Sequence, residues 1–165
     1  MTTNDTSNLP DPASAPELFQ DLLKRRVAAY TIDILILSII ASVVVVAGMI
    51  TGILTFGVGL VAIPVAIPVS IVGYYALTLG SASRATVGMK MMDIVLTPTG
   101  RAPLDGWRAF AHPLLFWLTC WILPPFSFLF ALFTPRRQMI HDLIIGTLMV
   151  RRSPMEDHWA EQGAY

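Results

Sequence analysis

Residues 24–40 read KRRVAAYTIDILILSII. Three cations, Lys24, Arg25 and Arg26, give way to a hydrocarbon run in which the one charged group is Asp33. Beyond it the charge disappears. Residues 34–83 contain no Lys, Arg, His, Asp or Glu, and neither do residues 113–135. About twenty apolar residues span the hydrocarbon core of a bilayer, so the first of these runs holds two helices and a tight turn. The expected spans are residues 27–50 and 53–79, with the turn at Thr51-Gly52. Pro64 and Pro68 should kink the second helix, since each lacks a backbone donor and crowds the preceding turn. Tyr74 and Tyr75 fall near its end, at the depth that amphipathic rings favour.

The rest of the chain fits this reading. Of 165 residues, 55% are hydrophobic and 13% charged, against about a quarter charged in soluble domains. The net charge is zero, so nothing points to nucleic acid as a partner. The single cysteine, Cys120, has no internal partner and no metal-ligand spacing around it. Residues 1–15 form a Pro-, Ser- and Thr-rich lead expected to be disordered, without the cationic start and apolar core of a secretory signal. Residues 16–23, PELFQDLL, suggest a short interfacial helix running into the first span. Residues 16–152 are taken as one membrane domain and 153–165 as a polar tail.

A third apolar stretch, residues 109–133, is interrupted by Pro124-Pro125. Two donors are lost there, and the residue before a proline is pushed out of the helical region. The stretch is therefore a re-entrant hairpin or one kinked span. Residues 89–96, MKMMDIVL, look extended, followed by turn chemistry at Thr97-Pro98-Thr99-Gly100. A second short extended run, GTLMV at 146–150, would pair with it to avoid bare strand edges. Lys24, Arg25 and Arg26 precede the first span; Arg84, Lys90, Arg101 and Arg108 follow the second. By the positive-inside rule both ends of that hairpin lie in the cytoplasm, including the N-terminus. A re-entrant third segment keeps Arg136, Arg137, Arg151 and Arg152 on the same side; a single span places them outside. The expected fold is an all-α membrane protein: a transmembrane helical hairpin, a Pro-broken third apolar segment and a small cytoplasmic β element, in the inner membrane.

Asp33 then demands an explanation. A charged Asp at mid-helix costs roughly 2.5–3.5 kcal/mol on insertion scales. The apolar run after it offsets the cost, but the carboxylate asks for a partner. Arg26 lies two turns earlier, and side chains lean towards the helix N-terminus, so Arg26 is expected to snorkel to the headgroups. Arg84, Arg108 and His112, each flanking an apolar segment, are the candidate partners of Asp33. One reading makes Asp33 an ion- or proton-binding group; the other makes it a polar link between helices. At His141-Asp142 a proton relay competes with an acid that pairs with nearby arginines or caps a backbone donor. Adjacent residues on a helix do not face each other, which favours the second. Gly48 and Gly52 give a GxxxG spacing, better explained here by a turn than by packing. Trp107, Trp117 and Trp121 read as interfacial anchors. No nucleophile–base–acid set, phosphate loop or metal cluster emerges, so no enzymatic activity, cofactor or metal is expected.

Taken in order, these blocks resemble the RDD family of small integral membrane proteins. Arg26 and Asp33 in RRVAAYTID stand at the family's Arg and first Asp. Thr86, Gly88 and Lys90 resemble its T-x-G-K block, with Met89 where the family usually has Lys. In QMIHDLIIGTLMV, Asp142 stands at the second Asp and Gly146-Thr147 precedes the last strand. His112 occupies a position where an Arg is expected. The likeness covers residues 18–152. It implies a multi-pass membrane protein, in contact with the bilayer and with a second copy or an unrelated membrane protein. Molecular function in the family is largely undefined: some members are linked to cation–proton exchange, others resemble accessory components of membrane complexes.

Overall fold

The structure, a computed structural model, describes residues 11–98, 106–122 and 124–161. The described residues are 73% helical, with one two-stranded sheet. Helix α1 (Leu22–Leu54) and helix α2 (Val58–Leu79) are both long and apolar enough to cross a membrane. A buried helix of a soluble core passes the same length test, but here only 6% of each apolar stretch is covered by the rest of the chain. Val43, Val46 and Ile50 on α1 and Val61, Val65 and Val69 on α2 all face outward. Such a surface of aliphatic side chains suits lipid, not water.

The turn of this hairpin falls at Thr55, Phe56 and Gly57, later than Thr51-Gly52. Helix α1 runs through the expected break, and the threonine hydroxyls donate back along it: Thr51 to the Ala47 carbonyl at 2.9 Å and Thr55 to that of Thr51 at 2.6 Å. Gly57, at φ 102°, supplies the left-handed residue that reverses the chain. The GxxxG pair is a packing device after all. A Cβ on Gly52 would meet Leu60 Cγ at 2.7 Å, and one on Gly48 would strike Ile63. Pro64 and Pro68 lie inside α2 without ending it.

Ahead of α1, residues Pro16–Phe19 form a 3-10 turn, and Asp21, at φ 52°, separates it from the long helix. The interfacial helix is thus shorter than expected and not continuous with the span. Its Leu18 and the first residue of α1, Leu22, are each 1% exposed and anchor the cap beneath the hairpin.

That cap is assembled from distant segments. Residues 89–96 are not wholly extended: helix α3 (Val87–Met91) occupies the first part, and strand β1 (Ile94–Pro98) follows. Thr86 starts α3, its hydroxyl accepting from the Met89 amide at 3.1 Å. Strand β2 (Thr147–Arg151) pairs with β1 antiparallel, in the register Ile94–Arg151 to Pro98–Thr147. The two strands do need each other, as expected, and Leu96, Leu148 and Val150 are fully buried between elements. Of the turn expected at Thr97-Pro98-Thr99-Gly100, the first two residues belong to β1 and the last two lie outside the described residues. Between the strands lie helix α4 (Gly106–Ile122) and helix α5 (Pro124–Phe133), with Pro124-Pro125 in the first turn of α5; the join between the two helices, at residue 123, lies outside the described residues. Helix α6 (Ile140–Ile145) is a single turn and a half, closed by Gly146 at φ 72°. Helix α7 (Arg152–Glu161) follows β2, so much of the polar tail is helical.

Candidate functional site

Two knots of polar side chains tie the hairpin to its cap. The first is built on Asp33, 4% exposed on α1. Its Oδ1 accepts from the Tyr74 hydroxyl of α2 at 2.6 Å and from the Gly88 amide of α3 at 2.9 Å. Its Oδ2 accepts from the Thr86 hydroxyl at 2.5 Å. Gly88 is required by close approach: a Cβ there would strike the Ala29 carbonyl and stand 2.9 Å from Asp33 Oδ1. Tyr74 therefore points inward as a donor and is not simply a headgroup-level ring.

The second knot is built on Asp142, which is fully buried in α6. Its Oδ2 accepts from Arg26 Nη2 and, at 3.0 Å, from the Met139 amide that opens the helix. Asp142 thus caps a backbone donor, as the sequence suggested, and pairs with an arginine, though with the distant Arg26 in place of a nearby one. Burial alone would push this carboxyl up, but the Arg26 guanidinium holds it well below the usual range. Arg26 itself is 5% exposed and does not snorkel. Its other nitrogens donate to the Arg137 carbonyl at 2.8 Å and to the Met149 thioether at 3.0 Å. A guanidinium offered three fixed acceptors inside the cap loses the advantage of reaching for water.

His112 and His141 complete this second knot. Their rings lie 4.9 Å apart, nearly perpendicular. His112 Nδ1 is 3.2 Å from the Thr147 hydroxyl and 3.7 Å from Asp142 Oδ1. His141 Nε2 is 3.3 Å from the same Oδ1, although the two residues are adjacent in α6. So short a helix lets its second and third residues converge on one point, which the helical rule does not anticipate. Burial pushes the His141 imidazole down to about 3 against the pull of Asp142. Between the two knots lies a mainly apolar cavity, bordered by Arg26, Asp33, Tyr75, His112, His141 and Met149.

Of the candidate partners of Asp33, His112 makes its polar contacts with Thr147 and Asp142. Arg84 sits in the loop after α2, at φ 44°, and Arg108 in the first turn of α4; both engage neighbours. Lys90 ends α3 and is exposed, whereas Thr147 is fully buried, its carbonyl accepting from Gln138 at 2.9 Å. Gly146 serves as the left-handed close of α6. Tyr74, Gln138 and the convergence of His112 with His141 escaped the sequence reading. Arg26, Asp33, Thr86, Gly88 and Asp142, separated by up to 116 residues, are brought into two adjoining clusters.

No curated protein and no solved structure matches the chain. The sequence model of the RDD family matches residues 22–146, from the first residue of α1 to the close of α6. Both knots lie almost wholly within that match, and the chain belongs to the RDD family.

Proposed function

We propose that this is a multi-pass protein of the cytoplasmic membrane, with its N-terminus inside, that acts as a non-transporting accessory component of a membrane complex or of an anionic lipid surface. The observation that carries the reading is the state of Asp33. Among the described residues, its three hydrogen bonds come from fixed donors on α2, the α2–α3 loop and α3. A carboxylate that must bind and release a cation needs free lone pairs and a path; this one joins three elements. The helix faces turned to lipid and the cations Lys24, Arg25, Arg84 and Lys90 at one end of the hairpin offer the surfaces for a partner.

Re-entry of α4 and α5 is part of the same proposal. Strand β1 follows α2 and strand β2 follows α5 and α6, and they pair. A single crossing between them would put the two strands on opposite sides of the bilayer. A cysteine placed after Val150 should therefore resist labelling from outside intact cells.

The runner-up is a carrier that exchanges monovalent cations for protons. The cavity that Asp33 and His141 share is what favours it. Flux in proteoliposomes separates the two. Under an imposed pH gradient with Na⁺, K⁺ or Li⁺, the purified protein should show no cation-dependent collapse. A collapse that disappears in Asp33→Asn would replace the accessory reading with the carrier. Co-purification in mild detergent should recover a reproducible, unrelated membrane protein.

A further inference from the structure

Asp142 Oδ1 is the odd atom of the second knot. It is buried, and no hydrogen bond reaches it from the described residues. A fully buried carboxylate oxygen without a donor is costly, so something is expected to face it. What faces it are two imidazole nitrogens, His141 Nε2 at 3.3 Å and His112 Nδ1 at 3.7 Å.

The tautomer of His141 follows from its other nitrogen. Thr119 gives its one hydroxyl hydrogen to the carbonyls of Leu115 and Phe116, at 2.8 and 3.0 Å. Towards His141 Nδ1, 3.5 Å away, Thr119 presents only a lone pair. The tautomer that matches this contact has the hydrogen on Nδ1, which leaves Nε2 of the neutral ring with a lone pair 3.3 Å from Asp142 Oδ1. Nε2 and Oδ1 thus lie within reach of each other with no hydrogen bond between them, an arrangement in which a cation set off the line joining them could meet both.

The spacing has the right scale. Donor atoms about 2.0–2.1 Å from a tetrahedral ion stand about 3.4 Å from one another. The separations of 3.3 and 3.7 Å bracket that value, and the three residues offer ligand atoms that all lie within 4.8 Å of one another. His112 Nδ1 also shares a hydrogen bond with the Thr147 hydroxyl, at 3.2 Å, and a bound ion would take the place of that bond. Outer contacts of the kind that orient metal ligands are also present: Thr119 on His141, and Arg26 with the Met139 amide on the far oxygen of Asp142.

We propose that His112 Nδ1, His141 Nε2 and Asp142 Oδ1 form a three-ligand site for a first-row divalent transition ion of the zinc class, placed where α4 meets α6. Imidazole nitrogen and one carboxylate suit such an ion better than Mg²⁺ or Ca²⁺, which prefer oxygen throughout. The ion would hold the broken apolar segment onto the cap. The inference is independent of the accessory function proposed above, and of whether anything is transported.

The test uses tag-free full-length protein in mild detergent, stripped with a chelator and titrated with Co²⁺. Expected are visible ligand-field bands that saturate near one ion per chain and vanish when Zn²⁺, the stronger binder, is added. Thr119→Val should weaken Co²⁺ binding by about 10- to 100-fold, and His112→Gln and His141→Gln by more. The proposal is overturned if the parent takes up no stoichiometric Co²⁺. It is equally overturned if both histidine variants bind like the parent, which would assign the ion elsewhere on the chain. Should the histidine variants fail to fold, Thr119→Val decides: unchanged affinity there also overturns the site.

Discussion

Asp33 and Asp142 are both acids with almost no exposure, yet they are held by different means. Asp33 is surrounded by neutral donors, two hydroxyls and one amide. Asp142 faces a guanidinium and leaves one oxygen without a donor. Neutral donors spread the charge over several short bonds, any one of which can be lost without stranding an ion. A buried ion pair is less forgiving, because removing either member leaves the other charged and desolvated. The hairpin is therefore joined to its cap by one tolerant knot and one intolerant knot, only a cavity apart.

The contrast breaks first, and hardest, at Asp142. Asp142→Asn should destabilise the fold by about 3–5 kcal/mol, read as a lowered unfolding midpoint in detergent, and Arg26→Ala should do the same. The double variant Arg26→Met with Asp142→Leu should recover most of that loss, since replacing a whole buried pair is often near neutral. A double variant as unstable as the singles would mean that the pair does more than neutralise itself. Next comes Gly88→Ala, whose new methyl group strikes the Ala29 carbonyl. Overpacking of this kind costs about 1–3 kcal/mol, and α1 must shift from α3; retention of the parental midpoint would show that the approach is looser than drawn.

Asp33→Asn should be milder, at about 1 kcal/mol. The amide oxygen can still accept from Tyr74 and Gly88, and the amide nitrogen can donate to Thr86. Insertion should be intact, with parental abundance in the membrane fraction. A larger loss than Asp142→Asn would reverse the ranking of the two knots. The smallest effect concerns Asp93, outside both. Burial raises this carboxyl, but the Ser153 hydroxyl and amide, with Arg151, hold it below its ordinary 3.8. Its contribution is complete above pH 3.8 and is lost as pH falls through the lower folded value. Parent and Asp93→Asn should thus differ in unfolding midpoint near neutrality and converge in strong acid. A difference that persists or grows in acid would remove Asp93 from the linkage.

What the sequence announced and what it concealed divide along a physical line. Charge-free runs are local facts, and they sufficed for α1 and α2. The pairing of β1 with β2 was legible because a short strand cannot stay alone. The position of the hairpin turn was missed by a few residues: Gly52 packs against Leu60 inside the helix, and the left-handed residues that reverse the chain are Phe56 and Gly57. Helix α3 was hidden inside an apolar run too short for periodicity to show. The polar residues were recognised singly, but not their grouping. Arg26 had no sequence neighbour to announce Asp142, and the rule that adjacent helical residues diverge argued against a cluster at His141.

The separation of Arg26 from Asp142, 116 residues, also sets a clock. At about 5–20 residues per second, synthesis delivers the acid on the order of ten seconds after the arginine. In that interval the first helices can already be meeting the bilayer, and Arg26 is a solvated cation at the foot of α1, available to hold that end in place. Only when α6 emerges does it turn inward to become an internal counterion. One side chain would then do two jobs in sequence, orienting the nascent hairpin and later locking the finished one, and a chain cut short before Asp142 would keep the first job and never acquire the second.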